Sequence, residues 1–275
     1  MGFTVGCVPY LNAVPLVHAF EELGSSSPVR VIYDVPSNLP SLLDSGIADA
    51  IMVSSVDCLR IPGRRISLST CIASQHNVDS VRLFSKVPFG QIRSLAWDQS
   101  SMTSNRLAMI LLQEVYGVEP DFEVCQPNLS AMLSSHDACI LIGDLGMSAI
   151  PEGLHVMDLG GEWRNLTGKP FLWAGWIGGE GLTPELTDHL IEGYQRAMDD
   201  SGSLLPAVID AGVKKSRLPR AVVERYLTET MDYEFGLDKL CALHCFQEHL
   251  LACGFVDAKH TPDLVMGARL SVGTR

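Results

Sequence analysis

The strongest constraint on this chain is a change of rhythm near residue 183. Up to that point short apolar runs recur with loops and helical stretches between them. The runs are Phe3–Val8, Val29–Tyr33, Ala48–Val53, Ile66–Ile72, Val78–Ser85, Ile92–Trp97, Phe122–Cys125, Ala138–Ile142, Val156–Leu159 and Phe171–Ile177. Several are continuous rather than alternating, Ala48–Val53 above all, as in strands covered on both faces. From Thr183 onward the pattern predicts only helices, over about 184–199, 203–212, 219–229 and 237–252. Strands with interspersed helices, followed by an all-helical tail, do not make one simple doubly wound domain. They fit two α/β lobes, with the chain crossing near Ser85–Pro88 and again near Trp173–Gly178. Lobe I then holds residues 1–86 and 178–275, lobe II holds 87–177, and a ligand cleft lies between them.

Net charge narrows the partners. The formal charge is −12, and no run of Lys or Arg interrupts it. Non-specific binding to nucleic acid or to an anionic membrane is therefore excluded. With 47 % apolar and only 19 % charged residues, the chain has the composition of a folded core protein. No apolar run approaches the eighteen or so residues that span a bilayer. Thr4-Val5-Gly6-Cys7 loosely resembles a lipoprotein cleavage box, but no basic segment precedes it and only six residues stand before Cys7. The eight cysteines (Cys7, Cys58, Cys71, Cys125, Cys139, Cys241, Cys245, Cys253) are scattered, several inside apolar runs, and suggest no disulfide framework. A reduced, cytoplasmic protein is expected.

An acidic protein can still hold an anion on backbone N–H and hydroxyl groups. Ser100-Ser101-Met102-Thr103-Ser104 follows an apolar run and opens a helix marked by Leu107, Ile110, Leu111 and Val115, which stops at Gly117. Hydroxyls crowd the point where the first helical N–H groups lack partners and the helix dipole favours negative charge. Two readings stand: an anion site formed by Ser101, Thr103 and Ser104, or ordinary N-capping by one of them. Tyr10 and Asn12 follow the first strand, and Ser54 and Ser55 the third. Ligands collect at the carboxyl ends of strands in open α/β sheets, so these four are expected to face one crevice. Asp144 ends another buried strand and reads as a base, an N-cap or a cleft-shaping group. Trp163 and Trp176 read as core packing. Cys241, His244, Cys245 and His249 share one side of the last helix, but ligands on successive turns of a straight helix cannot converge on one zinc, so no metal site is expected there.

Five windows resemble one family in order and spacing. They are Pro9-Tyr10-Leu11-Asn12-Ala13-Val14-Pro15-Leu16, the Ser100–Ser104 stretch, Leu141-Ile142-Gly143-Asp144, Asp158-Leu159-Gly160 with Trp163, and Thr167-Gly168-Lys169-Pro170-Phe171 with Trp176. A weaker echo spans Tyr226 to Gly236. The family is chorismate dehydratase of the futalosine route to menaquinone. The resemblance implies a two-lobed type II periplasmic-binding-protein-like fold and a lyase without cofactor. The family's Ser-Arg-Thr-Ser carries Arg where this chain has Met102. A relative in the superfamily, 1,4-dihydroxy-6-naphthoate synthase, carries a catalytic His where this chain has Gly143, which disfavours that activity.

The resemblance implies chorismate as substrate, a dicarboxylate, and Asn12 and Ser80 as catalytic residues. The net reaction removes the ring C3 proton and the C4 hydroxyl to give 3-[(1-carboxyvinyl)oxy]benzoate and water. The C3 carbanion conjugates with the C1 carboxylate and aromatisation drives the loss of water, so the protein has chiefly to orient and stabilise charge. Asn12 and Ser80 are neutral hydrogen-bonding groups rather than strong bases. The expected proton acceptor is therefore the substrate's own enolpyruvyl carboxylate. Read without the resemblance, Asn12 is a helix N-cap and Ser80 a strand hydroxyl. The competing function is a non-catalytic binding protein for a small carboxylate, on the same fold.

Overall fold

The computed structural model describes residues 2–60, 63–198 and 204–268. In chain order the elements are β1 (Phe3–Cys7), α1 (Val14–Leu23), β2 (Val29–Tyr33), α2 (Leu39–Asp44), β3 (Ala50–Ser54), α3 (Ser55–Arg60), β4 (Arg65–Ser74), β5 (Val81–Ser85) and β6 (Ser94–Asp98). They continue with α4 (Thr103–Tyr116), β7 (Asp121–Cys125), α5 (Leu129–Ser135), β8 (Ala138–Ile142), α6 (Gly143–Ser148), β9 (His155–Asp158), α7 (Leu159–Thr167) and β10 (Phe171–Gly178). The remainder is α8 (Pro184–Met198), α9 (Leu204–Ser216), α10 (Arg220–Arg225), β11 (Asp232–Glu234), α11 (Leu237–Ala252) and β12 (Asp263–Val265). The expected helix limits at 199 and 203 lie outside the described residues.

Two compact units result: residues 1–73, 172–240 and 260–275 in the first, 74–171 and 241–259 in the second. In the first, a sheet runs β11-β4-β10-β3-β1-β2, with β12 added beside β4. Parallel pairing sets Val5 against Ala50 and Phe3 against Val29, whereas β10 is antiparallel to β3, with Trp176 opposite Met52. The run Ala50–Val53 is buried throughout, as its unbroken apolar sequence requires. Helix α1 carries Pro15 in its first turn, where the missing N–H costs nothing, and buries every residue from Val14 to Phe20.

The second unit holds a five-stranded sheet, β7-β6-β8-β5-β9. Strand β5 is antiparallel to both β8 and β9, with Val81 opposite Ile142 and Leu83 opposite Met157. Residues 74–86, expected with the first lobe, therefore belong to the second unit, where Leu83 and Phe84 of β5 are fully buried. Helix α4 ends as expected at Gly117, whose φ of 68° is left-handed and whose N–H returns to the Gln113 carbonyl. Trp163 and Trp176 are fully buried; their indole N–H groups donate to the Pro170 carbonyl (3.0 Å) and to Thr70 Oγ1 (3.1 Å). They pack the core, as their sequence context suggests.

Three expectations need correction. The tail is not all helical: β11 pairs antiparallel with β4 and β12 pairs parallel with its start. Three-residue strands leave too short a period to detect, and they form because β4 offers a free edge. Residues 241–259, expected with lobe I, belong to the second unit, where Asp158 caps α7 and the segment before β5 passes too close to Gly160 for a side chain there. A Cβ on Gly160 would lie 2.7 Å from the His76 carbonyl oxygen. Finally, the strand expected to start at Val78 starts at Val81, which leaves Ser80 outside it.

Candidate functional site

In the first unit, β1 and β3 run parallel as neighbours, so the residues after them lie at the same sheet end. Tyr10 precedes a single 3-10 turn, Leu11–Ala13, that carries Asn12 directly into α1. Leu11 and Ala13 are buried and pin the turn. Asn12 Oδ1 is buried and has no hydrogen-bond partner among the described residues. An unmet buried acceptor costs about 1–3 kcal/mol until a water or a ligand satisfies it. Ser54 closes β3 opposite Ala174 and is half-buried. Ser55 is fully buried and its hydroxyl donates to the Leu172 carbonyl at 2.9 Å. It ties α3 to the start of β10 rather than facing a crevice.

In the second unit the parallel neighbours β6 and β8 end side by side, and antiparallel β5 begins there. Ser80, Gly143-Asp144 and the Ser100–Ser104 stretch thus occupy one sheet end. Ser80 is 1 % exposed, and its N–H donates to the Val78 carbonyl at 2.7 Å across Asp79, whose φ is +61°. A three-residue turn centred on a positive-φ non-glycine residue is strained and persists only where its surroundings over-determine it. Asp158 supplies that determination. Its carboxylate accepts from the N–H groups of Val78 (3.0 and 3.1 Å), Asp79 (2.8 Å) and Gly161 (3.0 Å). One side chain therefore caps α7 and clamps the turn that delivers Ser80. Burial raises the Asp158 carboxyl above its ordinary value, against the lowering by these three N–H groups.

The helix opening splits the hydroxyls between two duties. Ser101 Oγ accepts from the Ser104 N–H at 3.1 Å, which is ordinary N-capping, and the Ser100 hydroxyl donates to Asp98. Thr103 and Ser104 are 4 % and 5 % exposed in the first helical turn. Arg106, one turn further, donates to the Met102 carbonyl at 3.1 Å, so a guanidinium reaches back over the position where the resembling family carries Arg. Asp144 lies in the first turn of α6, half-buried. Gly143 has a φ of 59°, a backbone state that a side chain there would strain. The turn is thus built for glycine at the position where the synthase carries histidine.

Two residues escaped the sequence reading. Asp158 appeared only as part of a window, because a clamp between residues eighty apart leaves no local signal. Asp98, at the end of β6, drew no attention as a site residue in the sequence, yet it is 1 % exposed. Its Oδ1 accepts from the Ser100 N–H at 2.9 Å, while Oδ2 has no partner in hydrogen-bond geometry. Burial raises its carboxyl above the ordinary value; Ser100 and the nearby Ile142 N–H pull the other way.

Two pockets formed by the described residues, each within one unit, do not suit a dianion. One of about 400 Å³ in the second unit is lined by Asp79, Asp158 and Glu162, with Arg82 as its cation. That guanidinium already donates to the Gly146, Met147 and Ala149 carbonyls. One of about 450 Å³ in the first unit is lined by Asp188, Glu192 and Glu234. Of the helix-tail side chains, Cys241 and His244 are exposed, whereas Cys245 and His249 are half-buried, with His249 bonded to Glu114 at 2.6 Å and packed edge-on against Trp163. The seven described cysteines are free of disulfides, and burial pushes the Cys7 and Cys139 thiols up to about 12. Among the described residues no helix is long and apolar enough to cross a membrane.

Known structures share this architecture. Protein AF1704 of Archaeoglobus fulgidus matches with a TM-score of 0.69 at 15% identity, over 93% of this chain and 98% of its own. The periplasmic aliphatic sulphonate binding protein SsuA of Escherichia coli matches at 0.63 and 11%, over 97% and 94%. The CA3427 gene product of Candida albicans, described as having the generic periplasmic binding protein fold, matches at 0.61 and 11%, over 94% and 92%. At such identities the likeness establishes the periplasmic-binding-protein-like fold and nothing about ligands. A family model described as menaquinone biosynthesis matches residues 3–251, taking in both sheet ends and every window quoted above. The chain belongs to the menaquinone biosynthesis family.

Proposed function

We propose that this member of the menaquinone biosynthesis family is a chorismate dehydratase acting in the cytoplasm, with Asn12 and Ser80 as its catalytic residues. The observation that carries the reading is the bare, buried Oδ1 of Asn12. Chorismate at neutral pH has two carboxylates, and its C4 hydroxyl is its one hydrogen-bond donor. An unmet acceptor fits that hydroxyl, the group that departs. Ser80, a donor held rigid by the Asp158 clamp, orients the enolpyruvyl carboxylate, which takes the C3 proton and passes it to the departing C4 hydroxyl, so that water leaves as the ring becomes aromatic. Thr103 and Ser104, at the positive end of α4, hold a carboxylate, and Tyr10, Ser54 and Asp144 line the substrate. Ser101 and Ser55 support from behind, one as the cap of α4 and the other through Leu172. Arg106 supplies from one turn along α4 the cation that Met102 lacks. Replacing it in Arg106→Gln should raise KM for chorismate about tenfold with little change in kcat, read from initial rates, as expected when one charged hydrogen bond is lost.

The test is to mix purified protein with chorismate, with no metal or nucleotide added, and to follow products by chromatography and mass. Loss of one water to give 3-[(1-carboxyvinyl)oxy]benzoate supports the reading. Unchanged chorismate that nevertheless raises the melting temperature would favour the small-carboxylate binding protein instead.

A further inference from the structure

Strand β7 forms one edge of the second sheet and pairs only with β6. Its residues alternate. Phe122 and Val124 are exposed, with Phe122 stacked on Trp97 at 3.7 Å. Glu123 and Cys125 share the opposite face, where Cys125 packs beside Met132 and Leu129 of α5. His136 follows α5 directly, caps its last turn and is 8 % exposed. A nitrogen of His136, the thiol sulfur of Cys125 and a carboxylate oxygen of Glu123 all lie within 4.8 Å of one another.

The orientation of the imidazole matters most. Nδ1 lies 3.0 Å from the Ser135 hydroxyl and 3.2 Å from the Met132 carbonyl oxygen, and in the tautomer with its hydrogen on Nδ1 the ring donates to that carbonyl. Nε2 then presents its lone pair to Glu123 Oε2 at 3.4 Å. An ion held between them would use that lone pair and the carboxylate together. A backbone carbonyl fixing the distal imidazole nitrogen is also the device that orients metal-bound histidines. Two ligands bound at about 2.0–2.1 Å by a tetrahedral ion stand about 3.3–3.4 Å apart, the separation already present here. The sulfur needs to close to about 3.6 Å, within reach of a Cys rotamer and of the exposed Glu123 side chain.

We propose that Glu123, Cys125 and His136 form a binding site for one divalent transition-metal ion, zinc by the character of its donors. Thiolate, imidazole and carboxylate together suit Zn²⁺, and their combined charge of −2 neutralises it. Three protein ligands leave a fourth position for water. The ion fastens the edge strand β7 to the carboxyl end of α5, across a segment that joins them only through the Gln126–Asn128 turn. This site is separate from the residues assigned to chorismate, and the inference does not depend on that reading.

Full-length reduced protein, stripped with chelator, is titrated with Co²⁺ alone and followed by absorption. One equivalent should give a thiolate-to-cobalt charge-transfer band with four-coordinate visible bands, and excess Zn²⁺ should displace it. Cys125→Ser should abolish the charge-transfer band, and His136→Gln and Glu123→Gln should each weaken binding tenfold or more. The double variant Cys241→Ser/Cys245→Ser should bind as the parent does. Circular dichroism of each variant shows that a lost band is not lost folding. The proposal is overturned if the parent gives no band. It is equally overturned if the band survives Cys125→Ser, if His136→Gln binds unchanged, or if the α11 variant removes the band.

Discussion

The two sheet ends prepare their key residues in opposite ways. Asn12, in the first unit, is presented by leaving its Oδ1 buried and unmet. Ser80, in the second, is presented by over-satisfying the backbone before it, with three N–H groups bound to one buried carboxylate. The first device stores a cost that a ligand relieves, and the second uses stabilising bonds to hold a strained turn. The two residues proposed for catalysis therefore carry opposite stability signatures.

The largest expected effects test whether both ends matter to the reaction. Asn12→Ala and Ser80→Ala should each lower kcat/KM for chorismate by about 10²-fold or more, in the range of losing a group that positions reacting atoms. Full activity in both variants would sink the assignment. Thermal unfolding sharpens the contrast: Asn12→Ala should leave stability unchanged or slightly higher, since it deletes an acceptor that had no partner.

Asp158→Ala should do the reverse, lowering stability by about 2–4 kcal/mol as several charge-assisted bonds are lost together. It should also lower kcat/KM, because Ser80 loses its fixed position. If Asp158→Ala proved stable while Asn12→Ala unfolded, the comparison would be inverted.

A smaller effect is expected at Asp98. Its raised carboxyl binds a proton more readily in the folded than in the unfolded chain. The stability it contributes is thus fully present below the ordinary carboxylate value and is lost as pH rises through the folded value. Asp98→Asn keeps an acceptor for Ser100 and removes the buried charge. The variant should match the parent near pH 4 and exceed it by about 1 kcal/mol at pH 7, measured by denaturant titration at both pH values. The smallest effect belongs to the turn itself. Asp79→Gly relieves the positive φ but frees the unfolded chain, for a net gain of about 0.5 kcal/mol.

Much of this molecule was readable before any coordinates. Continuous apolar runs located nearly every strand of both sheets, because burial on two faces leaves an unbroken record in sequence. The stop of α4 at Gly117, the scattered thiols and the grouping of polar residues after β1, β3, β6 and β8 followed from local chemistry. Tertiary structure alone decided the rest, because each remaining feature depends on partners distant in the chain. Strands β11 and β12 exist because β4 has an edge to offer. The segment from Ser74 to Lys86 changes unit because β5 finds its partners in β8 and β9. Ser55 is withdrawn from a crevice by a carbonyl 117 residues away. Ser80 is set by Asp158, and the apposition of Glu123, Cys125 and His136 needs a strand and a helix end brought together. Periodicity records which faces are buried; only the packed fold records which buried groups meet.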